Sequence, residues 1–175
     1  LEEICPFTII GTFNKGLTIA NRQSVAKELA DFLGVLEDIP NEFNGIPLLN
    51  NQASWFFGYH EKRKPDDIQT LWECFEQAII LSESDTLESR SDFIRAFDEA
   101  MSRHQVGWTL TMGLYWIRPW RFATLETKSR KFINGQLDIE IKKSGHKDRC
   151  SGADYLSLLD DINTKFKDDL SGIRS

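Results

Sequence analysis

The spacing with the most chemical promise is Asp138-Ile-Glu140-Ile-Lys142. On a strand, Glu140 and Lys142 would point to the same side. A carboxylate there could hold Mg²⁺ while the ammonium steadies an attacking water, as in metal-dependent nucleases. Such a site needs a second acidic residue at the same point, and Asp66, after Pro65, is better explained as a helix start. A three-residue match is also common by chance, so the nuclease is a remote alternative. Gly11-Thr-Phe-Asn-Lys15-Gly16 superficially resembles a phosphate loop. A Walker A loop needs Gly-Lys-Ser/Thr, so that amides cradle phosphate and the hydroxyl reaches Mg²⁺. Here Lys15 is followed by Gly16 and Leu17, and the match fails. GxSxG and HExxH are both absent. His146 and Cys150 stand at i, i+4 and could form half a zinc site, but a structural zinc needs four ligands and His60 and His104 are isolated. Three cysteines at long spacings give no disulfide framework. No catalytic residue, metal or cofactor is expected.

Binding chemistry is a stronger theme than bond-breaking. Between Lys128 and Arg149 lie seven basic residues and three acidic ones, a local surplus of +4. The whole chain carries −6, so the remainder holds −10. Arg118 and Arg121 lie just upstream, beside Trp116 and Trp120. Cations interleaved with aromatics suit a nucleic-acid face, because the cations release condensed counterions and the rings stack on exposed bases. The candidate contacts are Arg118, Arg121, Lys128, Arg130 and Lys131 for phosphate, with Trp120 or Trp55 for stacking. The competing reading is a solvated charged loop beside core tryptophans. The acidic remainder suggests a different role, docking a basic protein partner.

Four segments have helical periodicity. Thr18–Leu33 carries Val25, Leu29, Phe32 and Leu33 on one face, and Gly34 follows as a natural terminator. After Pro65, with Asp66 as N-cap, Ile68, Leu71, Trp72, Phe75, Ala78 and Ile79 form a stripe. Ser91–Arg103 aligns Phe93, Phe97, Ala100 and Met101, with His104 at its end. From Ser151, Asp154 completes a box-like cap ahead of Tyr155, Leu158, Leu159, Ile162 and Phe166. Pro6–Asn14 fits a short helix or a strand. Trp108–Ile117 is apolar all round, so periodicity alone cannot assign it. Leu137, Ile139 and Ile141 alternate with polar residues, which reads as an exposed strand. The expected fold class is mostly α (α+β): a helical domain with a small β-hairpin near residues 130–143.

Composition bounds these readings. The 175 residues fit one domain, and 41% apolar content with five Trp and twelve Phe excludes a disordered chain. No apolar run reaches the roughly 18 residues of a membrane span. Leu1 is followed by no basic n-region and no apolar h-region, so a cytoplasmic location is expected. A chain without a starting Met reads as a cut from something longer.

Several phrases resemble one family. They are PFTIIGTFNKGLTIANR (6–22), FNGIPLLNNQASWFF (43–57), DDIQTLWECFEQAI (66–79), VGWTLTMGLYWIRP (106–119) and SGADYLSLLDDI (151–162). Together they resemble the region preceding the AAA+ motor in McrB-type proteins, the GTPase or ATPase subunits of modification-dependent restriction systems. The resemblance spans nearly the whole chain, in order. One stretch departs from the family: Leu125-Glu-Thr-Lys-Ser-Arg130 stands where an Asp-Ser-Arg-Asn-Arg-like segment is usual. Arg130 is retained and Glu126 replaces Asp. The resemblance implies that residues 1–175 are a single N-terminal recognition domain lacking its motor. It implies a non-catalytic role in choosing DNA, often methylated or otherwise modified, while the motor engages a partner nuclease. It also favours a helix over Thr109–Ile117, with Thr109 where the family has a good N-cap. The alternative is a protein-interaction or assembly module docking a partner or the AAA+ ring.

Overall fold

The structure is a computed structural model and describes residues 4–49 and 56–172, with side chains described as far as residue 167. Among these residues it is all helical. In chain order the helices are α1 (Pro6–Phe13), α2 (Ile19–Leu33), α3 (Asp67–Glu83), α4 (Leu87–Ser102), α5 (Thr109–Ile117), α6 (Thr127–Gln136) and α7 (Gly152–Gly172). A single 3₁₀ turn spans His60–Lys62. Among the described residues no helix is long and apolar enough to cross a membrane.

The starts and stops follow from local chemistry. Pro6 occupies the first turn of α1, where its missing N–H costs nothing. Thr18 Oγ1 accepts from Asn21 N, and Gly34 ends α2 in the left-handed region at φ 70°. The α4 helix begins four residues earlier than its apolar stripe suggests, because Thr86 and Ser89 form a reciprocal capping box. Asp66 is the N-cap residue of α3, yet its carboxylate makes no cap bond. It pairs instead with Arg103 at 2.8 Å. Ser151 Oγ accepts from Asp154 N, and Asp154 Oδ2 accepts from Ser151 N, so the box expected at the start of α7 is formed.

Two ambiguous segments resolve as helix. Residues 109–117 form α5, but Trp108, not Thr109, is the N-cap residue. The hairpin expected near residues 130–143 is absent: residues 127–136 are α6, and no strand occurs among the described residues. Glu126 explains the difference. Its carboxylate accepts from both Lys128 N and Ser129 N, satisfying two amide donors that a helix start leaves open. Burial raises the Glu126 pKa, but those two donors outweigh it and hold the carboxyl below its ordinary value. After α6 the chain buries Leu137 and Ile141 with no partner strand, which accounts for the alternation.

The core sits between α3, α4, α5 and α7. A three-residue connection makes α3 and α4 an antiparallel hairpin. Leu71, Cys74, Ala78 and Leu81 of α3 meet Phe93, Phe97, Ala100 and Met101 of α4. Tyr155 of α7 stacks on Phe97 at 5.2 Å between centroids, and Phe93 stacks on Phe122 at 5.4 Å. The Tyr155 hydroxyl donates to Ala123 O at 2.6 Å, so this fully buried ring leaves no polar atom unpaired. A second aromatic group joins α1 to α5: Phe7 packs on Phe56 and Phe75, and Phe56 meets the edge of Trp116. Cys5, Cys74 and Cys150 are free, buried thiols whose pKa values burial raises.

Glycines test this packing. A Cβ on Gly152 would lie 2.8 Å from Ile94 Cα, a backbone atom that cannot swing aside, whereas one on Gly135 meets nothing. Gly152→Ala should therefore lower unfolding stability by about 1–3 kcal/mol. Gly135→Ala, within α6, should raise it by about 0.5–1 kcal/mol. Urea melts of the two variants beside the parent would read both signs.

Candidate functional site

The cationic segment begins where α5 ends. Arg118 is the C-cap residue of α5, and Pro119 follows. The Arg118 guanidinium donates to Ser82 Oγ and to Ile117 O, lies 3.5 Å from Glu83 Oε1, and sits over the Trp120 ring at 5.7 Å. Arg121 bonds Asp85 at 2.9 Å, and its side chain is largely buried. Asp85 is shared with Arg90, which also reaches Asp160. The hydrogen bond from Asp160 raises the Arg90 pKa. These ion pairs join the α3–α4 connection to α7 and to the turn after α5. Both arginines just upstream of the cationic segment are therefore committed to carboxylates.

The rest of the sequence candidates lie on α6 or near it. Arg130 stands 4.7 Å over the Trp108 ring and reaches Thr127 Oγ1. Lys128 and Lys131 are exposed, with no ion pair among the described residues. Trp120 is 74% exposed, an unusual position for so large a ring. Trp55 lies outside the described residues. The structure thus brings Lys128 and Lys131 together on one helix and turns Arg118 and Arg121 toward acidic partners.

Beside α6 runs an apolar groove of about 380 Å³. Phe132 and Ile133 of α6 form one wall, Ile162 and Phe166 of α7 the other, and Tyr115 and Ala123 the floor. Phe132 is 53% and Phe166 48% exposed. Lys128 stands on its rim, one turn before Phe132.

The largest departure from the sequence expectation is α2. Its stripe is present but packs against none of the described core. Arg22 is its only buried residue. That guanidinium is held between the rings of Phe13 and Phe43, at 5.5 and 5.0 Å, and donates to Lys15 O. Beyond this pin, Val25 and Leu29 are exposed, while Phe32 is 85% and Leu33 68% exposed. The chain after Gly34 folds back, with Gln23 Nε2 donating to Pro40 O, and leaves Leu36 96% exposed. Residues 28–42 carry five acidic and no basic side chains. The periodicity that identified this helix was also the signal for the surface, but an amphipathic stripe alone does not reveal where its partner is.

The Asp138–Lys142 motif is not on a strand: Asp138 adopts a left-handed φ of 55°, and with Asn134, Glu140, Lys142 and Lys143 it lines an open depression of about 550 Å³. Among the described residues no three His, Cys, Asp or Glu side chains could hold a metal together. His146 and Cys150 are not drawn into one either, since the Cys150 thiol donates to Lys142 O. A nearly buried arginine serves instead as a brace. Arg103, barely exposed, pairs with Asp66, Glu99 and the buried Asp67, tying the start of α3 to the end of α4. Hydrogen bonding from Arg103 lowers the Asp66 pKa.

Incubation of plasmid and linear DNA with Mg²⁺ or Mn²⁺ should leave it uncut, with Glu140→Ala indistinguishable from the parent. Cleavage lost in that variant would restore the nuclease reading.

A family model described as a domain of unknown function, DUF8425, matches residues 1–174. No curated protein and no solved structure matches the chain. With nearly every residue inside that match, the chain belongs to the DUF8425 family.

Proposed function

We propose that this domain is a non-catalytic protein-interaction and assembly module of a McrB-like restriction protein. The observation that carries the reading is the exposed stripe of α2. A helix with Phe32, Leu33 and Leu36 in water forgoes the stabilisation of burying them, roughly 25 cal/mol per Å² of apolar surface. Contiguous exposed apolar surface of this kind marks an interaction site. The acidic residues from Glu28 to Glu42 repel nucleic acid and suit a partner with an apolar groove and a basic rim. The McrB resemblance supplies the setting, a cytoplasmic defence protein whose motor and nuclease partner lie elsewhere.

A second reading, recognition of plain or modified DNA, is supported by Trp120 and by the unpaired Lys128 and Lys131 on α6. It is weakened by the carboxylates that hold Arg118 and Arg121. Reading a modified base would also require flipping it into an aromatic pocket, at a cost of a few kcal/mol.

A photo-crosslinking residue placed at position 32 or 120, in the full protein inside its host cell, separates the readings. Position 32 should yield a discrete protein adduct, and position 120 no nucleic-acid adduct. An absence of any adduct from position 32 would overturn the interaction reading. Nucleic acid captured at position 120 would favour DNA recognition.

A further inference from the structure

We infer that the partner of the α2 stripe is a second copy of this chain, and that the stripe docks in the α6–α7 groove of that copy. The inference deepens the interaction reading and rests on it.

The chain carries both halves of one contact. On α2, Val25, Leu29, Phe32 and Leu33 recur at helical spacing, and Leu36, just past the Gly34 turn, is 96% exposed. This is the form of an amphipathic helix that lies in a groove. The groove between α6 and α7 is apolar within and open along its length, walled by Phe132 and Phe166. Its apolar lining matches the stripe in polarity.

The charges match as well. The acidic residues accompanying the stripe include Glu28, Glu37 and Asp38, all exposed. Lys128 lines the groove, exposed Lys131 lies one turn further along α6, and on α7 exposed Lys165 precedes Phe166, with exposed Asp161 one turn earlier. Among the described residues none of these three lysines has an ion pair. Among the described residues neither face covers the other, since the stripe is exposed and the groove open. Two copies can satisfy what one cannot. The joined surfaces are different patches, so the contact is heterologous unless a two-fold axis makes it reciprocal.

Complementation tests this directly. One variant, Phe32→Asp with Leu36→Asp, disables the helix stripe and leaves the groove intact. The other, Lys128→Glu with Phe132→Asp, disables the groove and leaves the stripe intact. All four positions are exposed, and circular dichroism would verify that the helices are retained. In sedimentation velocity the parent protein should associate as concentration rises, and each variant alone should remain monomeric. An equimolar mixture of the two variants should give a species of two chains and nothing larger. A monomeric parent, a mixture that stays monomeric, or a stripe variant that still self-associates would overturn the inference. If self-association fails while position 32 crosslinks a different protein, the interaction reading stands with another partner. If position 32 crosslinks nothing, both fall.

Discussion

Tyr155 is the residue around which the core closes. Its ring stacks on Phe97, lies near Phe93 and Phe122, and its hydroxyl is satisfied by Ala123 O. This contact joins α4, α7 and the segment after α5 in one place. A buried phenol without that acceptor would lose about 1–3 kcal/mol to desolvation. Once these rings are packed, α1, α3 and α5 complete the core through Phe7, Leu71 and Leu114. None of this uses α2. The core closes without that helix, and its apolar face is exposed among the described residues.

The arrangement explains why the two charged regions behave differently. Arg118 and Arg121 emerge where the α3–α4 connection passes, and Glu83 and Asp85 meet them there. Their charge stabilises the junction between elements and is largely neutralised at the surface. Lys128, Lys131 and Lys165 form no ion pair among the described residues, although the charge of Lys128 acts on Glu126. The acidic surplus around α2 lies in a segment attached mainly through Arg22. Two oppositely charged apolar surfaces thus coexist on one molecule whose net charge conceals both.

Much of the helical order was legible from local rules. The stripe of α4 is buried as its spacing implies; those of α3 and α7 are buried in part, with Leu71, Ala78, Tyr155, Leu158 and Leu159 in the core while Trp72 and Ile79 are half-buried and Phe166 is exposed, and the Ser151–Asp154 box caps α7. Gly34 terminates α2 in the left-handed conformation that glycine favours. What was not legible depended on contacts distant in sequence. Trp108–Ile117 shows no apolar period because residues 110–114 are buried all round and those on either side are half-buried, and burial carries no period. The strand-like alternation of Leu137, Ile139 and Ile141 arises from an extended segment laid against the core, with no pairing strand. The commitment of Arg118 to Glu83 and of Arg121 to Asp85 spans more than thirty residues, so no local pattern could reveal it. The stripe of α2 was visible, but only the packed core shows that none of the described residues covers it.

Hydrogen exchange measured residue by residue on the dilute protein tests most directly whether α2 stands outside the core. The amides of residues 23–33 should exchange far faster than those of α3 and α4, because local opening there breaks few buried contacts. Protection of α2 equal to that of α3 under dilute conditions would contradict the account, since it would mean that the stripe is already buried in a single molecule.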